Sequence, residues 1–266
     1  MGGAEAVAKW KAQGRLTARE RIEALADPDS FQEFGALTGK GEYAPDGALK
    51  DVTPSNSVMG RAAVDARPLM VVADDFTIRG GSSEAAVAEK WIYGERMALE
   101  FRMPLVRLVD SVGGSVKILE QQGRTKIPGY TIWPSTAMMG AIPVASVAFG
   151  SCVGLGAVRA IGAHFSVMVK DQSQVFAAGP PVVKQGLGHD VTKEELGGWE
   201  LCTRQSGVVN NAADDEKDAL AQVRRFLSYL PGNAWELPAR ATHEDSAQRR
   251  DETLNQIIPE DRRKIV

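Results

Sequence analysis

Twice in this chain an apolar run breaks at glycines and passes into a helical pattern, and that recurrence constrains the fold more than any other feature. MPLVRLVDSVGGSV, 103–116, runs from a strand through Gly113 and Gly114 into a polar helix, 117–125. IPVASVAFGS, 142–151, is again a strand, and CVGLGAVRAIGAH, 152–164, reads as a glycine-studded helix carrying Gly154 and Gly156. HFSVMVKD, 164–171, is a further short strand with QVFAAGPPVV behind it. Strand, crossover, strand repeated in this way gives a mainly parallel sheet covered by helices.

The flanking segments fit the same scheme. GRLTARERIEALADPDSFQEFG, 14–35, has Thr17 as N-cap, apolar Leu16, Ile22 and Leu25, and an Asp-Pro stop, predicting a short helix and then a strand that together dock on the surface. Residues 57–75 form two β-rich runs around an Asp-Ala-Arg-Pro turn, the second run, 69–73, being buried. SSEAAVAEKWIYGERMALEF, 82–101, reads as one helix capped by Ser82 or Ser83, with apolar positions near Ala86, Trp91, Met97 and Phe101. A second short helix is expected near 136–139. From about Pro231 the chain is charged and Pro-punctuated, so 1–230 is expected to be one domain, with 1–56 a helix-strand arm, and 231–266 a linker or arm.

Composition removes several function classes. With 31 Lys and Arg against 34 Asp and Glu the net charge is -3, which supplies no global basic field for nucleic acid. The N-terminal MGGAEAVAKWKAQGRLTARE lacks an apolar signal core, and no window holds some eighteen uninterrupted apolar residues, so neither secretion nor membrane spanning is expected. Two distant cysteines, Cys152 and Cys202, make neither a disulfide framework nor a zinc site and suit a reducing cytoplasm. FGSCVGLGAV fails as a dinucleotide fingerprint because Arg159 stands where its third glycine belongs. GALTGKGE, 35–42, fails as a phosphate loop by its spacing and by lacking Ser or Thr after Lys40. His164, His189 and His243 are the only histidines, and no metalloprotease or nucleophile-elbow motif accompanies them, so no metal and no hydrolytic triad is expected.

What remains is chemistry by backbone amides. A strand that ends in Gly113-Gly114 and feeds a helix aims consecutive N–H groups at one point, which suits an oxyanion, although an isolated Gly-Gly pair is also an ordinary tight turn. Preorganised donors of this kind stabilise a developing enolate, and acyl thioesters are natural substrates for such a scheme. The residues alone stop at an acyl-transfer or enolate enzyme.

The motifs GRLTARERIEALADPDSFQEFG, DDFTIRGGSSE, LVDSVGGSV, GSCVGLGA, FAAGPPVVK, DVTKEELGG and RRFLSYLP, in this order, resemble the N-terminal half of the carboxyltransferase β-subunit of biotin-dependent acyl-CoA carboxylases of the propionyl-CoA and methylcrotonyl-CoA type. The resemblance runs from about Gly14 to the end of the chain. It implies a single-domain α/β fold, the crotonase/ClpP-like β-β-α superhelix. It also implies that amides of Gly113 and Gly114 hold the thioester carbonyl, that Phe76, Gly81, Ser82 and Ser83 lie near the CoA tail, and that Gly154 and Gly156 form a second glycine loop beside the acyl and pantetheine path. Val112 is an insertion relative to the Asp-Ser-Gly-Gly of many members and leaves the amide register open by one residue; Arg79 replaces an aromatic.

Family subunits pair two related domains, and TLNQIIPEDRRKIV, 253–266, matches the segment leading into the second. The implied partners are therefore an acyl-CoA, a C-terminal carboxyltransferase domain or subunit, and a biotin carboxylase or carrier that presents carboxybiotin, in a homo- or hetero-oligomer, with no metal, nucleic acid or membrane. The lack of a four-cysteine ribbon separates the chain from the bacterial acetyl-CoA carboxylase β-type subunit. Two rivals stay open: a stand-alone crotonase-type decarboxylase, hydratase or isomerase, and a non-catalytic CoA-binding assembly subunit.

Overall fold

The computed structural model describes residues 1–115, 118–120, 123, 133–240, 242 and 244–258. Its frame is a seven-stranded sheet. In chain order the strands of the molecule are β1 (Gln32–Phe34), β2 (Gly39–Tyr43), β3 (Leu49–Pro54), β4 (Ser57–Val64), β5 (Arg67–Asp74), β6 (Leu105–Val109), β7 (Val144–Ala148), β8 (Ser151–Val153), β9 (Phe165–Val169), β10 (Gln174–Phe176) and β11 (Asn211–Ala213). The large sheet has the order β1-β4-β5-β6-β7-β9-β11. From β5 onward every neighbouring pair is parallel, as the crossovers predict, while β4 pairs antiparallel with β1 and, around the Asp65-Ala66 turn, with β5.

Parallel strands are buried on both faces, and their residues alternate between two cores. Leu69, Val71, Ala73, Val106, Leu108, Ala145 and Val147 pack on one face with α1 (Ala18–Leu25) and α2 (Glu216–Ser228). Met70, Val72, Leu105 and Val144 pack on the other with Trp91 and Ile92 of α3 (Ala88–Glu100) and Met138 of α4 (Ser135–Met139). A third core forms where the chain leaves the large sheet: β7 is followed by β8 and α5 (Leu155–Ile161), and β9 by β10 and α6 (Pro180–Leu187), with β8 and β10 paired parallel in a separate small sheet. These are two successive strand-strand-helix turns, the repeating unit of the expected superhelix.

Local chemistry fixes the predicted N-terminal helix. Thr17 Oγ1 accepts from the Glu20 amide, and the Glu20 carboxylate accepts from the Thr17 amide at 2.9 Å, a reciprocal cap. Bonding to Lys11 and then to the Thr17 amide holds the Glu20 carboxyl at about 2, against an ordinary 4.5. A folded value below the unfolded one contributes stability that is complete above about pH 4.5 and is lost as pH falls toward 2. Thr17→Ala is expected to cost about 1 kcal/mol in urea titrations, and Glu20→Gln to lower the urea midpoint at neutral pH but not at pH 2.

Several expectations need correction. The helix expected to be capped by Ser82 or Ser83 begins at Ala88 after Val87, with no side-chain cap, because 79–87 is committed to a loop packed on the residues after β6. The glycine-studded helix expected from Cys152 starts at Leu155; Cys152 lies in β8, paired with Val175. GALTGKGE contributes β2 of a β2-β3 hairpin, and an unexpected helix, Ala4–Lys11, precedes the predicted one. The polar helix expected after Gly114 is described only at 118–120; the rest of it, His243 and the end of the 253–266 segment lie outside the described residues. Among the described residues no helix is long and apolar enough to cross a membrane.

Candidate functional site

A cavity of about 230 Å³ opens where the chain leaves β5, β6 and β8. Ligands of parallel sheets sit at the carboxyl ends of strands, where loops present main chain rather than side chains. Two loops build this mouth and are laced together. The Ser83 amide donates to the Gly113 carbonyl at 2.9 Å, the Ser111 hydroxyl to the Gly81 carbonyl at 2.8 Å, and the Ser115 amide to Ser83 Oγ at 3.1 Å.

Glycine is required at two of these positions. Gly113 has φ +74, and a Cβ on it would lie 2.3 Å from the Val153 carbonyl; Gly81 has φ +64, and a Cβ would lie 2.4 Å from the Asp110 carbonyl. Gly114 differs, since a Cβ there meets nothing within 4 Å. The amides differ as well. That of Gly113 donates to Ser111 Oγ at 3.2 Å, whereas that of Gly114 has no acceptor among the described residues.

Of the residues singled out from sequence, Gly81, Ser83, Gly113, Gly114 and Gly156 line this cavity. Gly156 lies in the first turn of α5, where the initial amides of a helix have no intrahelical partner, and it packs against Ser111 of the 110–115 loop. Phe76, Ser82 and Gly154 do not line it. The Phe76 ring stacks on Trp10 at 4.9 Å, the Ser82 carbonyl accepts from Asn56 Nδ2 at 2.7 Å, and Gly154 caps α5 while its amide donates to the Phe176 carbonyl at 3.2 Å. Cys152 is buried, which pushes its thiol well above the ordinary range and leaves it no role as a nucleophile.

Sequence reasoning missed the polar side chains of the same cavity: Ser57, Asp74, Ser111 and Arg159, with Trp91 beside them. Arg159 Nη1 donates to both Asp74 oxygens, at 2.8 and 3.0 Å, and its guanidinium lies 4.7 Å above the Trp91 ring. Asp74 and Arg159 are 85 positions apart in the chain, so no local pattern signals their pairing. Behind the cavity a second buried system anchors the 110–115 loop. Arg21 bonds Asp110 at 2.9 Å and takes both oxygens of Glu216, at 2.9 and 2.7 Å, with its guanidinium 4.0 Å above the Phe149 ring. Arg107 takes both oxygens of Glu95 in the same two-pronged way, at 2.8 and 2.9 Å.

Known proteins resemble this chain in sequence and fold. The carboxyl transferase domain model matches residues 9–265. The chain is 36% identical over 97% of its length to the methylmalonyl-CoA decarboxylase subunit alpha of Veillonella parvula, and 35% identical over 99% to the propionyl-CoA carboxylase carboxyltransferase subunit of Haloferax mediterranei. It covers 50% and 51% of those proteins, so it spans about half the length of the curated relatives it matches. A structure of 12S transcarboxylase with methylmalonyl-coenzyme A and methylmalonic acid bound superposes with a TM-score of 0.80 at 30% identity, over 97% of this chain and 50% of that one. The strand-strand-helix turns are thus those of a crotonase-like fold, and with the family match spanning nearly the whole sequence, the chain belongs to the carboxyl transferase domain family.

Proposed function

We propose that this chain is the acyl-CoA-binding half of a biotin-dependent acyl-CoA carboxyltransferase. The observation that carries the reading is the convergence of the Gly114 loop and the first turn of α5 on one cavity, which brings glycine-rich main chain of two elements to the same wall. Main-chain amide donors stabilise the charge that develops on a thioester carbonyl as its α-carbon is deprotonated or loses a carboxyl group. Of the two amides, that of Gly114, rather than Gly113, is the principal donor in this reading, because the Gly113 amide already donates to Ser111. Phe76, Ser82 and Gly154 act at one remove, seating the loops that carry the donors.

Biotin on a partner would supply the activated carboxyl group. The donors lining the cavity fit the acyl end of the substrate, and no residue of this chain is assigned to biotin, whose contacts belong to a C-terminal carboxyltransferase domain or subunit. That complement also gives a role to 231–266, read as an arm beyond a domain of 1–230. Trp235, Leu237, Leu254, Ile257 and Ile258 are exposed on it and suit an oligomeric interface. Two buried free thiols are compatible with a reducing, cytoplasmic setting. The likeness to a decarboxylase subunit favours a second reading in which the same enolate is formed in the opposite direction, from a carboxylated acyl-CoA.

The test is calorimetric titration with CoA and propionyl-CoA of the parent and of Gly114→Val. A valine there projects into open cavity space, so the melting temperature should stay within about 3 °C of the parent. Affinity for propionyl-CoA should fall at least about tenfold, the loss of one charge-directed hydrogen bond together with steric blockade. Unchanged propionyl-CoA affinity in the folded variant refutes the assignment.

A further inference from the structure

Among the described residues three arginines, Arg21, Arg107 and Arg159, are buried, at 1%, 1% and 5% exposure. Two use the Nε–Nη2 edge, the two-pronged side of the guanidinium, to hold both oxygens of a glutamate: Arg21 holds Glu216 and Arg107 holds Glu95. Arg159 does not. Asp74 engages only its Nη1, and Nε and Nη2 have no hydrogen-bond partner among the described residues. Arg159 is also the one of the three that lines the cavity carrying Gly114 and Gly156.

A second unsatisfied group lies next to it. Ser57 is the register partner of Asp74 across β4 and β5, is 2% exposed, lines the same cavity, and its hydroxyl has no partner. Buried donors of this kind are costly to leave unpaired, so a purely alkyl acyl group is a poor match for this wall. Asp74 fixes the guanidinium from one side and Trp91 covers one of its faces, which leaves the Nε–Nη2 edge preset for two oxygens.

We propose that Arg159, held by Asp74 beside Ser57, is a specificity residue that selects an acyl-CoA whose acyl group bears a carboxylate. The carboxylate can come from two places, the reacting carbon or the far end of the acyl chain. The inference rests on the acyl-CoA reading above and deepens it.

The experiment titrates the full chain with four probes: CoA, butyryl-CoA, malonyl-CoA and glutaryl-CoA. The expected result is that malonyl-CoA or glutaryl-CoA binds at least about tenfold more tightly than butyryl-CoA, the gain of a charge-assisted two-pronged contact. Preference for malonyl-CoA places the carboxylate on the reacting carbon, and preference for glutaryl-CoA places it at the chain end. Arg159→Lys keeps a cation for Asp74 but loses the fork, so it should retain CoA and butyryl-CoA binding and lose the preference. Ser57→Ala should reduce the preference several-fold. If Arg159→Lys fails to fold, Asp74→Asn with Arg159→Gln removes both charges together and tests the same loss.

Equal binding of the three acyl probes, or a preference that survives in Arg159→Lys, overturns this inference and leaves the acyl-CoA reading standing. Failure of every probe, CoA included, to bind a cooperatively melting chain overturns both.

Discussion

Arg21→Met is expected to lower the unfolding free energy by about 3–5 kcal/mol, the cost of leaving buried carboxylates without their cation. Folded domains have only about 5–15 kcal/mol in total, so the variant should be partly unfolded at modest temperature. Asp110 and Glu216 are 0% and 6% exposed, and Asp110 Oδ1 already has no hydrogen-bond partner. Burial raises the Asp110 carboxyl above its ordinary 3.8, and Arg21 is the main influence opposing that rise. Without Arg21 the folded value climbs further. A carboxyl whose folded value exceeds its unfolded one favours the fold only when protonated, so the deficit is complete above the raised value and shrinks as pH falls toward 3.8. Urea titrations of parent and variant from neutral pH downward should therefore converge in acid. A deficit that does not change with pH would place the loss in packing against Phe149 instead.

Gly156→Ala should be almost as damaging, although it adds one methyl to a helix. Its Cβ would lie 2.5 Å from the Ser111 carbonyl and 3.3 Å from the Ser111 side chain, so α5 and the 110–115 loop must separate. Overpacking of this kind costs about 1–3 kcal/mol. On the proposed reading the greater effect falls on binding, because the displaced pair lines the cavity from both sides. Affinity for propionyl-CoA should drop more than about tenfold, whereas Gly186→Ala, whose Cβ meets nothing within 4 Å, should bind like the parent. Parent-like affinity in Gly156→Ala would show that the two sides do not act together.

What the sequence revealed and what it hid divide along one physical line. Mainly apolar runs such as 105–109 and 144–148, broken only by Arg107 and Ser146, announced buried parallel strands, and glycines at 113 and 156 marked main chain pressed close to other main chain; both signals are local. The cavity's ion pair is not. Asp74 ends one strand, Arg159 lies in a helix 85 residues later, and Arg159 entered the sequence reading only as the residue that spoils a dinucleotide fingerprint. The misplaced start of α3 has a similar origin. Ser82 and Ser83 look like caps, but their groups bond Asn56, Gly113 and Ser115 across the loop interface, and tertiary partners outweighed the local preference. The register of the amides needed geometry too, since only a hydroxyl at Ser111 distinguishes the engaged Gly113 amide from the unengaged one at Gly114.

The bond from Arg21 to Glu216 spans 195 positions, and its second acceptor, Asp110, starts the loop that presents Gly114. During synthesis α1 therefore waits for α2 before its cation finds both anions, and closing so large a loop is slow. Until then Asp110 and Arg21 lack the third charge of their buried system, so the 110–115 loop sets only after residue 216 has emerged. Nascent chains halted before residue 216 should thus be protease-sensitive at 110–115 even though β4 to β7 are complete, and protection of that loop should appear abruptly, once residue 216 has emerged, and not by degrees.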